Sequence, residues 1–521
     1  MTATLLRGGR IADPLDGEYD ADVLLAGGRI LAIGDAATGS GAEHVVDVSG
    51  RILMPGFVDA HSHADARVLD EDMQLSLLRQ GVTTVIGGQD GVSFAPGDGA
   101  YASDYFGAIN GSHPFYTGGG VGALLAGYDG RTRLNVGYLV PAGTVRHLVM
   151  GTSSDAPTAD QLRRMQSLVA EGIADGALGL STGLDYSPGC FSDAAEISAL
   201  CAPVADAGAL YVTHMRGYEE NSRVGTTEVA EICSRAGVRA HISHFHAHSR
   251  IIAELMEELH EQGHDVSFDA YPYFRGSTIL AAIALPPDLA SQPAERVVEA
   301  LSDPVQRARI RREWIEPRER RIGTAWPRAV HIASVESAQW QWTEGLTLED
   351  AAARTTGDAV DLCFELLHAS RLRASVVMDV PNPRDDDDLR LQFGVRGATC
   401  GSDGIPFGRF RHPRAAGAFA RMLEVLVRDT GEFSWSDAAT ILSGRASERF
   451  GLGGRGRIAA GAVADLAVVD PATVGARSRY DAPLELAVGI DDVFVAGRAV
   501  LADGRLTDNV PGRALRRGQM S

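Results

Sequence analysis

The stretch MPGFVDAHSHADAR places His61 and His63 one residue apart. In an extended strand, residues i and i+2 project to the same side, so both imidazoles can face one cation. Three further apolar runs end in metal-capable side chains: LYVTH in His214, RAHISH in His244 and GATCGSD in Asp403. Ligands drawn from the ends of several strands are what a barrel active site requires, whereas core histidines would not favour one edge. Asp403 stands in an Asp-Gly dipeptide at such a strand end, so a turn and a metal-capable carboxylate are the two readings of it. Residues 83–96, TTVIGGQDGVSFAP, pose the same choice for Asp90: the β-branched run ends in Gln89-Asp90-Gly91. Seven Asp-Gly dipeptides occur in the chain, so for Asp90 the turn is the reading to overturn.

These residues need a scaffold, and the apolar runs supply one. ILMPGFVDA, TTVIGG, RLNVGYLV, ALGLS, LYVTH, RAHISH, DVSFDAY and GATCGSD recur with helical stretches such as 160–175 and 221–236 between them. Eight strand-helix repeats predict an α/β fold, a (β/α)8 TIM-like barrel with its site at the C-terminal ends of the strands. The first 50 residues and the last 65 or so alternate short apolar runs with glycine turns, the pattern of a composite β-sandwich built from both termini. The charged helical stretch after Pro286 reads as an inserted cap. The expected boundaries are 1–54 with 455–521 for the sandwich, 55–285 with 338–454 for the barrel, and 286–337 for the cap. The acidic run Asp385–Asp388 reads as a solvated helix start, because four consecutive carboxylates on a helix point in different directions.

Bulk composition narrows the chemistry. A chain of 521 residues, 45% hydrophobic, can bury a large core. A net charge of −20 argues against nucleic-acid binding. Five cysteines at irregular spacings suggest reduced thiols rather than a disulfide frame. No lysine occurs anywhere, so all 48 basic residues are arginine. That excludes a Schiff-base lysine, a P-loop lysine and a carboxylated lysine as a metal bridge. No apolar run is long enough for a membrane span, and MTATLLRGGRIADP lacks the apolar core of a signal peptide, so a cytoplasmic location is expected.

The chain resembles the N-acyl-D-amino-acid deacylase (D-aminoacylase) group of the amidohydrolase superfamily over essentially its whole length. The matching stretches include PGFVDAHSHAD, GVTTVIGG with GVSFAP, GALGLSTGLDYSPG, YVTHMR, ISH, DAYPY with GST, GSDG and HPRAAGAFARMLEVLVRD. The resemblance implies a zinc-dependent hydrolase with one or two Zn2+ per subunit. It makes His61 and His63 ligands of one metal, His214 and His244 ligands of the other, and Asp403 the catalytic carboxylate.

Three departures bear on the site. Where the family has Asn-Cys-Gly, with the cysteine a ligand, this chain has Gln89-Asp90-Gly91. Asp is a good zinc ligand whose two oxygens can bridge two ions, and with no lysine or cysteine in that slot Asp90 becomes the expected bridge. Where the family has Gly-His-Gly, this chain has Pro141, Ala142 and Gly143. The family's substrate-carboxylate lysine after ISH is replaced by Phe245-His246, leaving His246 as a weaker anion anchor. Arg275 is either a replacement anchor or a cap-facing salt bridge. Tyr186, Tyr271, Tyr273 and Ser277 are pocket candidates by resemblance, and His248 reads as a polar loop residue rather than a further ligand.

The expected function is therefore zinc-dependent hydrolysis of a C–N amide bond in a small molecule, an N-acyl-D-amino acid or related N-acyl compound. The altered pocket keeps a cyclic amide or specialised metabolite open. Two rivals are a metal-dependent isomerase or lyase, and a binding protein without chemistry. The expected partner is a small-molecule substrate, with neither nucleic acid nor membrane, and a homo-oligomer stays open.

Overall fold

The computed structural model describes residues 3–38, 41–355, 357–380 and 384–519. Eight parallel strands form one sheet: β1 (Phe57–Asp59), β2 (Val82–Gly87), β3 (Asn135–Pro141), β4 (Gly179–Gly183), β5 (Leu210–His214), β6 (Arg239–Ile242), β7 (Val266–Ala270) and β8 (Ala398–Cys400). Each of the eight apolar runs supplies one strand. Except for Arg239, the residues of these strands are buried, as expected when helices cover a parallel sheet on its outer face. The outer helices read directly from sequence. Ser249–Glu261 buries Ile252, Leu255, Met256 and Leu259, one stripe at 3.6-residue spacing. Ala159–Ala174 starts at a capping box made by Thr158 and Gln161.

The ring closes between its first and last strands without a regular ladder. Ala60 N donates to Cys400 O (3.3 Å), Asp403 N donates to His61 O (2.8 Å), and Ser62 bridges to Gly404. Beneath this seam the Asp59 carboxylate accepts from Ser402 N (2.7 Å) and Oγ (2.5 Å).

The two termini share a seven-stranded sheet in which Leu466–Val469 pairs with Ile52–Pro55, and a four-stranded N-terminal sheet packs on it. Leu6, Val23 and Ile30 from one sheet meet Leu53, Leu466 and Phe494 from the other in a core of their own, which makes a sandwich. Between β7 and β8 the chain makes an excursion. It contains a three-stranded antiparallel sheet, Arg275–Ile279, Ala374–Asp379 and Val330–Val335, and the charged helical stretch 304–322. The acidic run does start a helix, Asp386–Gly394, with Asp385 as its cap. Asp388, however, is buried and accepts from Ser249 N (3.0 Å) and pairs with His248 Nδ1 (2.6 Å). No helix among the described residues is long and apolar enough to cross a membrane.

One buried ion pair ties the helices that follow β3 and β4. Arg146 Nε meets Glu196 Oε1 at 3.1 Å, with the two side chains 1% and 4% exposed. Arg146 also donates to Ser153 O and Asp155 O, and Glu196 accepts from Ser192 Oγ. Removing one partner strands the other charge in a dry interior. Arg146→Met is expected to destabilise the fold by about 3–5 kcal/mol. The check is the urea unfolding midpoint, which should fall with its slope unchanged; a midpoint equal to that of the parent would refute the assignment.

Candidate metal centre and active site

Six side chains meet at the C-terminal rim of the barrel. His61, His63, Asp90 and Asp403 bring one ligand atom each within 4.8 Å of one another, and Asp90, His214 and His244 form a second such group. Asp90 belongs to both. Its Oδ1 lies 3.5 Å from His61 Nε2 and 3.8 Å from His244 Nε2; its Oδ2 lies 3.5 Å from His63 Nε2 and 3.8 Å from His214 Nδ1. Asp403 Oδ1 sits 3.3 Å from His63 Nε2 and 3.8 Å from His61 Nε2.

Local backbone aims these groups. Asp90 (φ 55°), His244 (φ 32°) and Asp403 (φ 46°) all adopt left-handed conformations just past a strand end. Non-glycine residues rarely do so, and each instance costs of order 1–3 kcal/mol unless the surroundings hold it. At Asp90 the surroundings are identifiable. A Cβ on Gly91 would lie 2.7 Å from Gly183 N, and one on Gly183 would lie 2.1 Å from Asp90 O, so the turn seats directly on the end of β4. Gln89 Nε2 donates to Ala60 O (2.9 Å) and Ile86 O (3.0 Å), tying β1 to β2 beneath it. Thr144 N donates to Gly91 O (3.0 Å) from the helix that starts at Ala142.

The electrostatics are those of a cation site. Burial opposes charge on His63, but Asp403 and Asp90 outweigh it and push the imidazole up to about 10. Burial likewise opposes charge on His214, which Asp185 and Asp90 raise to about 10. Desolvation also works against Asp403, yet Arg414, His244, His63 and His61 hold its carboxyl below the usual range. Both ring nitrogens of His61 and Asp90 Oδ1 are buried without a hydrogen-bond partner, although each faces other ligand-type atoms. Four histidines and two carboxylates converging with unspent lone pairs fit one or two divalent ions.

Outer partners orient the ligands. Asp269 Oδ1 accepts from His244 N (2.9 Å), while its Oδ2 lies 3.0 Å from His241 Nε2 and 3.7 Å from His61 Nδ1. Asp185 Oδ2 lies 3.3 Å from His214 Nε2, leaving Nδ1 for the centre. Such partners fix the imidazole tautomer and basicity. Asp185→Asn is expected to weaken metal affinity by about 10- to 100-fold. Titration against a chromogenic chelator would read it; an unchanged affinity would make Asp185 a bystander.

The centre opens into a chamber of about 860 Å³. Of the sequence-predicted pocket residues, His246, Tyr186, Tyr271 and Ser277 line it, whereas Tyr273 and Arg275 do not. Arg275 Nε pairs with Asp379 (2.5 Å) and its guanidinium covers the Tyr480 ring, the salt-bridge alternative. Tyr273 packs edge-on against His412 and Tyr480. His248 stands apart, paired with Asp388. Ser277 Oγ donates to Val376 O (2.9 Å), and Tyr186 Oη meets Thr278 Oγ1 (3.1 Å). His246 is tied at both nitrogens. Arg384 can only donate, so Nδ1 (3.3 Å) accepts and Nε2–H points to Tyr271 Oη. Burial, with Arg384, His244 and Arg414 nearby, holds His246 well below the usual imidazole range, so it is neutral.

Sequence reasoning missed Asp59, Asp185, Asp269, Arg384 and Arg414. Arg414 is fully buried, its Nη2 pairs with Asp403 Oδ2 at 2.8 Å, and its Nε and Nη1 have no hydrogen-bond partner. Its guanidinium covers the face of Tyr271 at 4.4 Å. It lies in HPRAAGAFARM, a helix start whose position relative to Asp403 no spacing rule gives.

Comparison with known proteins adds an independent line. The model of the amidohydrolase family matches residues 44–507. D-aminoacylase of Alcaligenes xylosoxydans xylosoxydans is 33% identical over 98% of this chain and 97% of its own. A solved D-aminoacylase structure with a binuclear metal centre superposes with a TM-score of 0.82 at 30% identity, covering 99% of each chain. N-acyl-D-glutamate deacylase from Bordetella bronchiseptica, complexed with zinc and a phosphonate mimic of the tetrahedral intermediate, gives a TM-score of 0.80 at 29% identity, covering 98% of this chain and 99% of its own.

Proposed function

This chain belongs to the amidohydrolase family, and on that premise we propose that it is a zinc-dependent hydrolase of the amide bond in N-acyl-D-amino acids or related N-acyl compounds. The observation that carries the reading is the Asp90 carboxylate, shared between two groups of ligand atoms at the strand ends. His61, His63, Asp90 and Asp403 would hold one zinc, and Asp90, His214 and His244 the other. Zinc bound there supplies Lewis acidity, which polarises an amide carbonyl and lowers the pKa of water. Asp403, kept ionised by Arg414, takes a proton from the attacking water and passes it to the departing amine nitrogen. The His61–Asp269 and His214–Asp185 contacts keep the imidazoles in the orientation this requires.

The lost family lysine is not replaced by His246, which is neutral and fully engaged. Arg414, fully buried behind Asp403 and off the chamber wall, serves Asp403 and does not take over that anion site. The D-aminoacylase relative is described by one-metal activation and second-metal attenuation, so this chain is proposed to work with one or two ions. The deciding experiment measures amine release from N-acyl-D-amino acids, N-acyl-L-amino acids and cyclic amides, with metal content determined on the same sample. Release from an N-acyl-D-amino acid supports the reading; failure of every amide while metal is bound would sink it and leave the isomerase or lyase alternative.

A further inference from the structure

We infer that the acyl group of the substrate is an extended aliphatic chain, accommodated in an apolar channel on the β4 side of the chamber. The inference rests on the amide-hydrolase reading above and specifies its substrate.

In a closed ring of eight strands, β4 and β8 stand opposite each other. The β8 side carries Asp403, the group assigned to the leaving amine. An amide with its carbonyl at the centre and its amino-acid half toward β8 must send its acyl half toward β4. The roof there is fastened to the chain just past β4. Ser187 Oγ donates to Pro287 O (2.7 Å), and Trp314 Nε1 donates to Ile283 O (3.2 Å). The roof presents Ala282, Ile283, Leu285, Pro287, Ala290 and Trp314 to the chamber, and this apolar stretch is bordered by Arg318, whose Nη1 donates to Ile283 O (2.9 Å) and whose guanidinium lies over the Trp314 ring.

Size supports the same conclusion. At about 860 Å³ the chamber lies near the top of the roughly 300–1,000 Å³ range of small-molecule pockets. An acetyl group offers one methyl to this wall and leaves most of it bare. Glu313, Arg318 and Arg321 also line the chamber, so the apolar stretch is bounded by charge. A linear acyl chain of intermediate length matches an apolar passage that starts at a reacting centre and is bounded by charge.

The test uses the zinc-loaded enzyme and one D-amino acid carrying acetyl, butanoyl, octanoyl or dodecanoyl groups, with amine release as the readout. kcat/KM is expected to rise by roughly 2- to 4-fold per methylene, the increment for burying one CH2, until the channel is full. Octanoyl should therefore exceed acetyl by at least about 60-fold. A flat or falling series, or a dependence on side-chain size alone, overturns the inference while amide hydrolysis stands. No hydrolysis at any length overturns the underlying reading as well. Ala282→Trp, at a half-buried roof position, should lower the octanoyl-to-acetyl ratio by at least about 10-fold, several methylenes' worth of lost burial. An unchanged ratio in that variant would also overturn the channel.

Discussion

Asp403→Asn should lower kcat/KM by about 100- to 10,000-fold, the usual weight of general acid–base catalysis. The amide keeps the shape of the carboxylate and loses its capacity to take and return a proton. The side chain has three neighbours at stake: His63 at 3.3 Å, His61 at 3.8 Å and Arg414 at 2.8 Å. Neutralising it leaves Arg414 buried without its counter-ion, so a fall in melting temperature is expected alongside the loss of rate. The two effects separate if activity is measured well below the lowered melting point. A folded Asp403→Asn enzyme within about 5-fold of the parent rate would remove Asp403 from the chemistry, since a 5-fold change is under 1.4 kcal/mol of barrier.

The second large effect concerns Asp90. Asp90→Ala removes the only carboxylate shared by both ligand groups, so zinc content and turnover should fall together, turnover by at least about 100-fold. Asp90→Cys makes the sharper comparison, because the resembling family keeps a metal-binding cysteine in that slot. A thiolate binds zinc well, so this variant should hold zinc where the alanine variant does not. Metal analysis of the purified variants, beside rates at saturating zinc, distinguishes the cases. Normal zinc and normal turnover in Asp90→Ala would return the residue to an Asp-Gly turn.

The eight strands and five of the six converging residues, Asp403 at the end of GATCGSD among them, were legible in sequence because both depend on local pattern. A buried parallel strand is a short apolar run, and His61, His63, His214 and His244 stand at or just past the ends of such runs. Asp90 was legible only as an alternative to a turn, and the two readings are compatible: the residue does turn the chain, at φ 55°, and that turn directs its carboxylate inward. Arg414 was not legible. It stands 11 residues beyond Asp403 in a helix start, and its contact arises from the path of the intervening loop. The same holds for Asp269 and Asp185, whose partners His61 and His214 come from other strands. Arg275 and Tyr273 show the converse, since their neighbours in sequence reach the chamber while their own side chains pack against Tyr480. Tyr271 and Tyr273 have the same parity and still part company, because the chain between Ala270 and Arg275 is not a strand, and YPYFRGST carries no marker of that break.

The seam between β1 and β8 gives the molecule a built-in gauge of its own integrity. The amide of Asp403 bonds the carbonyl of His61, so the contact that completes the ring also sets the two side chains at their working distance. Loosening the ring at this point separates them before the remaining strands come apart. On gradual heating, catalysis should therefore fade ahead of the loss of helical signal, and amide hydrogen exchange at Asp403 would time the opening directly.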